Sequence, residues 1–423
     1  MTNLPLQRVI TLGAAFLLVT VFASGCAQKG LLVERYPPDT LRVDAGMPYH
    51  DPDRNPTFLV YGDTQAGRLA KEKFYRRRNW VTWKSALVPF YQLYLLGNGV
   101  VGGVNWLRHI PDYGRDSRLM MRDAIYQKAL ENEVAFILNV GDICYTDGRY
   151  PHSWAGFLRE NKWTHPLLRE IPYFPVAGNH ERANDRQFGW PNYQAVFDHP
   201  RFYVMEFKDL VLFVLDSNFI LDQDDFFTDA EQDSLFQTWF VSDDPDRPAW
   251  LERKLEQYEQ KTYKMVISHH PLVTFGAHFS DWLSGSNGPG LEEKRRKLIK
   301  LLSSCGVNAH FAGHEHYYQH NVITTHYGDL PLHCIVTSGG GVPVRNAPSE
   351  TERIKKGEYY AGQGIHVSFD SQAEVHHFTR VRVMDDRLSV ETFEVSETGV
   401  RETPIDVLEI NEPLIHGVDR EAS

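Results

Sequence analysis

Asp63 with Gln65, Asp142, Asn179 with His180, His269, and His314 with His316 are the residues of this chain whose types and spacing can do chemistry. They stand in five short polar motifs: Gly62-Asp63-Thr64-Gln65, Gly141-Asp142, Gly178-Asn179-His180-Glu181, His269-His270-Pro271 and Gly313-His314-Glu315-His316. Each follows an apolar run of β character, respectively Phe58–Tyr61, Val134–Val140, Phe174–Ala177, Lys264–Ser268 and Ala309–Ala312. In an α/β sheet the C-terminal strand edge is where side chains leave the packed interior and converge on a ligand. A repeated delivery of carboxylates, carboxamides and imidazoles to that edge is a way to build a metal site.

Glycine before the ligand-type residue in four of the motifs permits a sharp strand-to-loop turn. His314 and His316 are two apart, so in extended backbone both rings fall on one side. Oxygen donors and imidazoles without paired cysteines suit Zn, Mn or Fe better than a structural zinc. One aspartate can bridge two cations about 3.5–4 Å apart, a pair that polarises a phosphoryl oxygen and acidifies a water. Singly, each motif has a plainer reading: Gly-Asp after a strand is a common turn, and a lone histidine is commonly structural. All of them in this order, each after an apolar run, favour the metal site.

This order of motifs resembles the calcineurin-like metallophosphoesterase superfamily, over about Thr57 to Ile410. The resemblance implies a four-layer α/β/β/α sandwich with two mixed sheets, and hydrolysis of a phosphate ester by metal-bound hydroxide. It implies two divalent or mixed-valence ions (Fe, Zn or Mn), one held by Asp63, Asp142 and His316, the other by Asp142, Asn179, His269 and His314. Asp142 is then the bridge, and His180 contacts the scissile phosphate and protonates the leaving group. Gly141-Asp142-Ile143-Cys144-Tyr145 and the stretch Arg201–Asn218 further resemble the purple acid phosphatase branch, in which the tyrosine ligates ferric iron. Gln65 departs from both patterns, and a neutral Gln carbonyl is itself a ligand in some relatives. Either Gln65 or Tyr145 completes the first metal, with Gln65 preferred.

The elements that must position these residues are legible around them. Helical patterns cover Ser117–Glu131, Asp229–Phe240, Trp250–Gln260 and Leu291–Cys305, the last with Lys294–Lys300 read as its solvated face. Alternating segments at Thr379–Val383, Leu388–Phe393 and Ile405–Ile410 read as antiparallel strands completing a second sheet. The motifs span Asp63 to His316, so the 423-residue chain cannot be divided between them. The division expected is a lipoprotein signal peptide (1–25), a loosely ordered linker (26–56), one metallophosphoesterase domain (57–410, with an insertion at about 71–115) and a tail (411–423). A formal charge of −11 argues against a general nucleic-acid binder; phosphate affinity would come from the metals.

Arg8, the apolar run Val9–Phe22 and Ala23-Ser24-Gly25-Cys26 resemble a bacterial lipobox, with Cys26 the lipidated N-terminus. Ala27 at the next position favours an outer-membrane anchor facing the periplasm. Cys144, Cys305 and Cys334 remain, and a Cys305–Cys334 disulfide is one arrangement open to them. Ser85–Leu107 is 23 residues without a charge. A single membrane crossing is excluded, because Asp63 and Asp142 must meet on one side. A membrane-surface hairpin and an insertion packed on the domain both stay open. The expected function is a lipid-anchored, dinuclear phosphohydrolase. The alternatives are a phosphodiesterase or lipid-headgroup phosphohydrolase at the membrane, and a non-catalytic binding lipoprotein whose metals serve structure.

Overall fold

The computed structural model describes residues 29–43, 50–66, 114–145, 147–181, 185–222, 226–283, 287–328, 330–384 and 386–411. Cys26 and the Ser85–Leu107 segment lie outside them, as do the signal-peptide and tail expectations.

The first sheet is built on β2 (Thr57–Tyr61), β3 (Phe136–Asn139) and β4 (Tyr173–Pro175), three parallel strands. Antiparallel β12 (His376–Val383) and β13 (Arg387–Ser396) extend it on the β2 side, and β13 carries β14 (Gly399–Val400) and β15 (Asp406–Asn411). The C-terminal strands thus complete the sheet that bears Asp63 rather than a separate one. The second sheet has parallel β6 (Leu210–Val214), β7 (Tyr263–Ile267), β8 (Ala309–Ala312) and β10 (Leu332–Thr337) at its centre. Antiparallel β5 (Tyr203–Phe207), with the short β1 (His50–Asp51), flanks one side; β9 (Tyr318–Thr324) and β11 (His366–Ala373) flank the other.

Strand alternation sorts the apolar residues into layers. Phe58, Val60, Phe136 and Leu138 from the first sheet meet Met205, Leu212, Ile267 and Phe311 from the second in one central core. Phe136 stacks on Phe58 at 4.8 Å and on Phe207 of the other sheet at 5.6 Å. The alternate residues Leu59, Tyr61 and Ile137 point outward to a second core beneath helices Arg115–Glu131, Pro151–Leu158 and Gly189–Val196. On the far side Val211, Phe213 and Val266 pack under helices Trp250–Gln257, Leu291–Ser304 and Glu350–Gly362. Two sheets between two helical layers are the four-layer α/β/β/α sandwich.

Three expectations give way to packing. Residues 29–43, expected as loose linker, dock on the first helical layer: Leu32, Leu41 and Val43 are buried, and the Asn192 amide grips Leu32 N and Gly30 O. The Lys294–Lys300 face is not fully solvated. Lys294 is buried against Asp233 at 2.6 Å, and Arg295 lies over the Tyr360 ring, trading hydration for cation–π contact. Cys144, Cys305 and Cys334 are all free thiols, so the Cys305–Cys334 bridge is not formed.

Candidate metal centre

The C-terminal ends of β2, β3 and β4 in one sheet and of β7 and β8 in the other open onto a common edge, and the motifs are the loops that leave them. Among the described residues six non-glycine positions have positive φ, and five belong to the expected site: Asp63 (59°), Gln65 (45°), Asp142 (56°), His314 (80°) and His316 (64°). Such backbone persists only where the surroundings over-determine it. Here the loops lock one another. Asp63 N bonds Gly141 O at 2.9 Å, Gln65 N bonds Asp142 O at 2.8 Å, and Gly313 N bonds His269 O at 2.9 Å. Gly178 is required by space, because a Cβ there would lie 2.3 Å from Asp142 Oδ1.

The extended geometry expected of His314 and His316 is not found. With both residues left-handed, their rings serve different halves of the site: His314 faces His269 at 3.1 Å, and His316 faces Gln65 at 3.2 Å and Asp63 at 3.5 Å.

In the half near β7, hydrogen bonding assigns the imidazole nitrogens. His269 Nδ1–H donates to Val140 O at 2.8 Å, leaving Nε2 with its lone pair. That lone pair faces Asn179 Oδ1 at 3.0 Å, His314 Nδ1 at 3.1 Å and Asp142 Oδ1 at 3.3 Å. His314 Nε2–H is taken by Asp281 Oδ2 at 2.7 Å, so His314 Nδ1 is also a lone pair. Four buried or half-buried acceptors converge with no donor among them, an arrangement that is repulsive without a cation. The donor set fits a metal. A carboxylate behind a ligating histidine is the usual means of fixing its tautomer.

The other half gathers Asp63, Gln65, Asp142 and His316. Gln65 Nε2 stands 3.2 Å from both Asp142 Oδ2 and His316 Nε2, while its Oε1 is buried without a hydrogen-bond partner. Tyr145 lays its ring against His180, centroids 5.9 Å apart, and its carbonyl accepts from His180 Nδ1–H. Asp142 reaches both halves: Oδ1 accepts from His180 N at 3.0 Å and faces His269, and Oδ2 faces Gln65 and, at 3.7 Å, His180 Nε2.

The electrostatics follow from two carboxylates in one buried space. Burial and the Asp142 charge together raise Asp63 well above the usual carboxylate range. Burial pushes Asp142 up as well, but His180 beside it and the hydrogen bond from His180 N outweigh it and hold it below that range. Burial lowers His314 and His316, with the Arg345 charge adding to it at His316, keeping the rings in the neutral form that ligates metals.

Several participants had no assigned role in the sequence. Glu181 accepts backbone N–H bonds from Gly178 (2.7 Å), Asp142 (2.9 Å) and Cys144 (2.9 Å), and is pushed up to about 8 by burial and by the Asp142 charge despite them. Glu315 accepts from Thr274 Oγ1 at 2.7 Å and His278 N at 3.1 Å. His270 turns its Nδ1 to Ser217 Oγ at 2.8 Å. Asp281, His278 and Arg345 close one side, with the His278 ring 3.7 Å from that of His314. Asp281, His278 and Arg345 stand outside the motifs and reach the site only through the fold; the glutamates inside Gly-Asn-His-Glu and Gly-His-Glu-His were the available signal.

A family profile described as calcineurin-like phosphoesterase matches residues 56–318. Tartrate-resistant acid phosphatase type 5 of Sus scrofa is 22% identical over 291 residues, covering 64% of this chain and 75% of that one. The Homo sapiens protein of that name is 25% identical over 190 residues, and the match spans 44% of this chain and only 56% of the human one. A purple acid phosphatase from yellow lupin (Lupinus luteus) seeds has the same fold at a TM-score of 0.52 and 17% identity, covering 86% of this chain and 55% of that one. The chain therefore belongs to the calcineurin-like phosphoesterase family of metal-dependent phosphoric ester hydrolases.

Proposed function

We propose that this protein is a dinuclear phosphohydrolase of the bacterial cell envelope, anchored through a lipidated Cys26 and facing the periplasm. The observation that carries the catalytic reading is the double reach of Asp142, one carboxylate oxygen to each half of the site. Asp63, Gln65 and His316 would hold one ion and Asn179, His269 and His314 the other, with Asp142 shared. The orphan Gln65 carbonyl supports Gln65 over Tyr145 as the added ligand. When bound, a metal pair polarises a phosphoryl oxygen and supplies a nucleophilic water near neutral pH.

The chain's own contribution is order. His180 Nδ1–H is held by the Tyr145 carbonyl, so its Nε2 is the nitrogen presented beside Asp142; protonated there as imidazolium, it would pass that proton to a leaving oxygen and return to the neutral Nδ1–H ring. Asp281 fixes the His314 tautomer. The envelope location rests on the lipobox resemblance of Ala23–Cys26.

Metal analysis together with a panel of phosphate esters is the test. Asp142→Asn should lose most of its metal and nearly all turnover while circular dichroism stays native, and His180→Ala should keep its metal and lose turnover. An Asp142→Asn protein with full metal and activity would sink the reading. A metal-loaded wild type inert to every ester would instead favour a binding protein.

A further inference from the structure

Arg345 belongs to no motif, yet it is built into the site from both sides. The glycine turn after β10 lies along the first motif, with Gly340 N on Gly62 O at 2.9 Å and Val342 N on Asp63 O at 3.1 Å. A Cβ at Gly340 would lie 2.2 Å from Gly62 O, so only glycine allows this approach. The same segment continues to Arg345, whose N–H bonds His316 O at 3.1 Å. Its backbone is thereby tied to the Asp63 and His316 half.

Its side chain is tied to the other half. Asp281 Oδ2 accepts from His314 Nε2 at 2.7 Å and from His278 Nδ1 at 3.1 Å. With Nδ1 protonated, His278 presents a lone pair at Nε2, and this accepts from Arg345 Nη1. The loop beneath is braced by Glu315 on His278 N and by Lys356 Nζ on the carbonyls of Phe275 (2.6 Å) and Gly276 (2.7 Å). A continuous chain, His314 to Asp281 to His278 to Arg345, thus connects a ligand-type imidazole to a guanidinium.

The guanidinium does not spend its charge there. Its recorded partner is a neutral imidazole, and among the described residues no carboxylate pairs with it. Its positive field reaches Asp63 and His316, and it is only half buried. A planar cation held by one arm over an anion-handling site, with the rest of its fork unclaimed, is suited to a phosphoryl oxygen.

We infer that Arg345 is the substrate-binding residue that selects phosphoryl groups carrying a second negative charge, held in readiness by His278 and Asp281. The inference rests on the hydrolase reading above for its substrate. A monoester dianion leaves a non-bridging oxygen for the guanidinium after two are engaged elsewhere in the site. In a diester that third oxygen carries carbon and accepts far more weakly.

The test uses the metal-loaded full chain as wild type, Arg345→Met and Arg345→Lys. Each is titrated calorimetrically with inorganic phosphate and with dimethyl phosphate at mildly alkaline pH, and assayed on 4-nitrophenyl phosphate and bis(4-nitrophenyl) phosphate. Arg345→Met should bind inorganic phosphate roughly 10–100-fold more weakly, the scale of a lost charge-assisted bond. Dimethyl phosphate affinity and metal content should stay at the wild-type level, and Arg345→Lys should recover part of the loss. Monoester kcat/KM should fall in parallel, collapsing the preference over diester. Unchanged phosphate affinity in Arg345→Met, an equal loss for both ligands, or loss of metal from both variants would overturn the inference. A wild type that hydrolyses neither ester but binds phosphate through Arg345 would defeat the hydrolase reading and sustain this one.

Discussion

Glu181 and Glu315 each follow directly on a histidine of the site, His180 and His314, and each is fully buried. What they grip differs. Glu181 takes backbone N–H groups of Gly178, Asp142 and Cys144, welding the loops after β3 and β4 into one unit whose centre is the shared aspartate. Glu315 takes Thr274 and His278, bracing the loop that carries the Arg345 support. A carboxylate beside a ligand can therefore be part of the metal scaffold or part of the substrate scaffold, and only its partners tell which.

That difference is open to a direct break. Glu181→Gln replaces an acceptor of several backbone donors by an amide whose NH2 must face one of them. We expect a loss of roughly 1–3 kcal/mol of stability, the scale of an unsatisfied buried donor. Metal content should fall by more than half and turnover by at least about 100-fold. Gly178→Ala should act alike, since its Cβ would press on Asp142. Full metal occupancy in Glu181→Gln, measured by plasma emission, would remove the scaffold role.

Glu315→Gln should do something milder and different in kind. The metals should stay, because His314 keeps Asp281 and His316 keeps its own loop. Activity should fall roughly tenfold through the weaker hold on His278, seen mainly as a raised KM. Gly276→Ala is the companion, its Cβ falling 2.2 Å from Glu315 Oε2. If metal is lost from both variants, the two glutamates do the same job and the contrast fails.

How far the sequence reached follows the same line. Strand ends and ligand types are local signals, so β2, β3, β7 and β8 with Asp63, Asp142, His269 and His314 could be named from runs and motifs. Helix Leu291–Ser304 was found within a residue of its end, yet its buried Lys294 and Arg295 were not, because Asp233 and Tyr360 reach them through the fold. Residues 29–43 read as linker because their partner, Asn192, lies about 160 residues on. The left-handed backbone at His314 and His316 was invisible for another reason: histidine's leaning toward it is too weak to mark a position, and the conformation is imposed by neighbouring loops. His278 and Asp281 share one short helix, but Arg345 and His314 meet them only through tertiary contact.

The smallest effect concerns the pH at which the two glutamates are compared, since acid destabilises this fold by a route unrelated to either. His199 is packed among Phe174 (5.3 Å), Tyr203 (5.7 Å) and Phe197 (6.5 Å), and burial lowers it to about 4. His333 and His377 are likewise lowered to about 4, and His310 to about 3, chiefly by burial. An unfolded histidine takes its proton near pH 6.5. Between that value and the folded one these rings are protonated only in the unfolded chain, so the stability they contribute rises with pH there and is lost as pH falls, while Glu181, raised to about 8, opposes them with a single proton. Tm should therefore decline from about pH 6.5 toward 4, the value to which His199 is lowered. His199→Phe keeps the aromatic packing and removes one proton from the linkage. It should leave Tm at neutral pH within a few degrees of wild type while making the acid decline shallower, checked by calorimetric scans across the window. An identical acid slope in His199→Phe would mean this ring carries no share of the acid sensitivity, and the glutamate comparison would then need no restriction to neutral pH on its account.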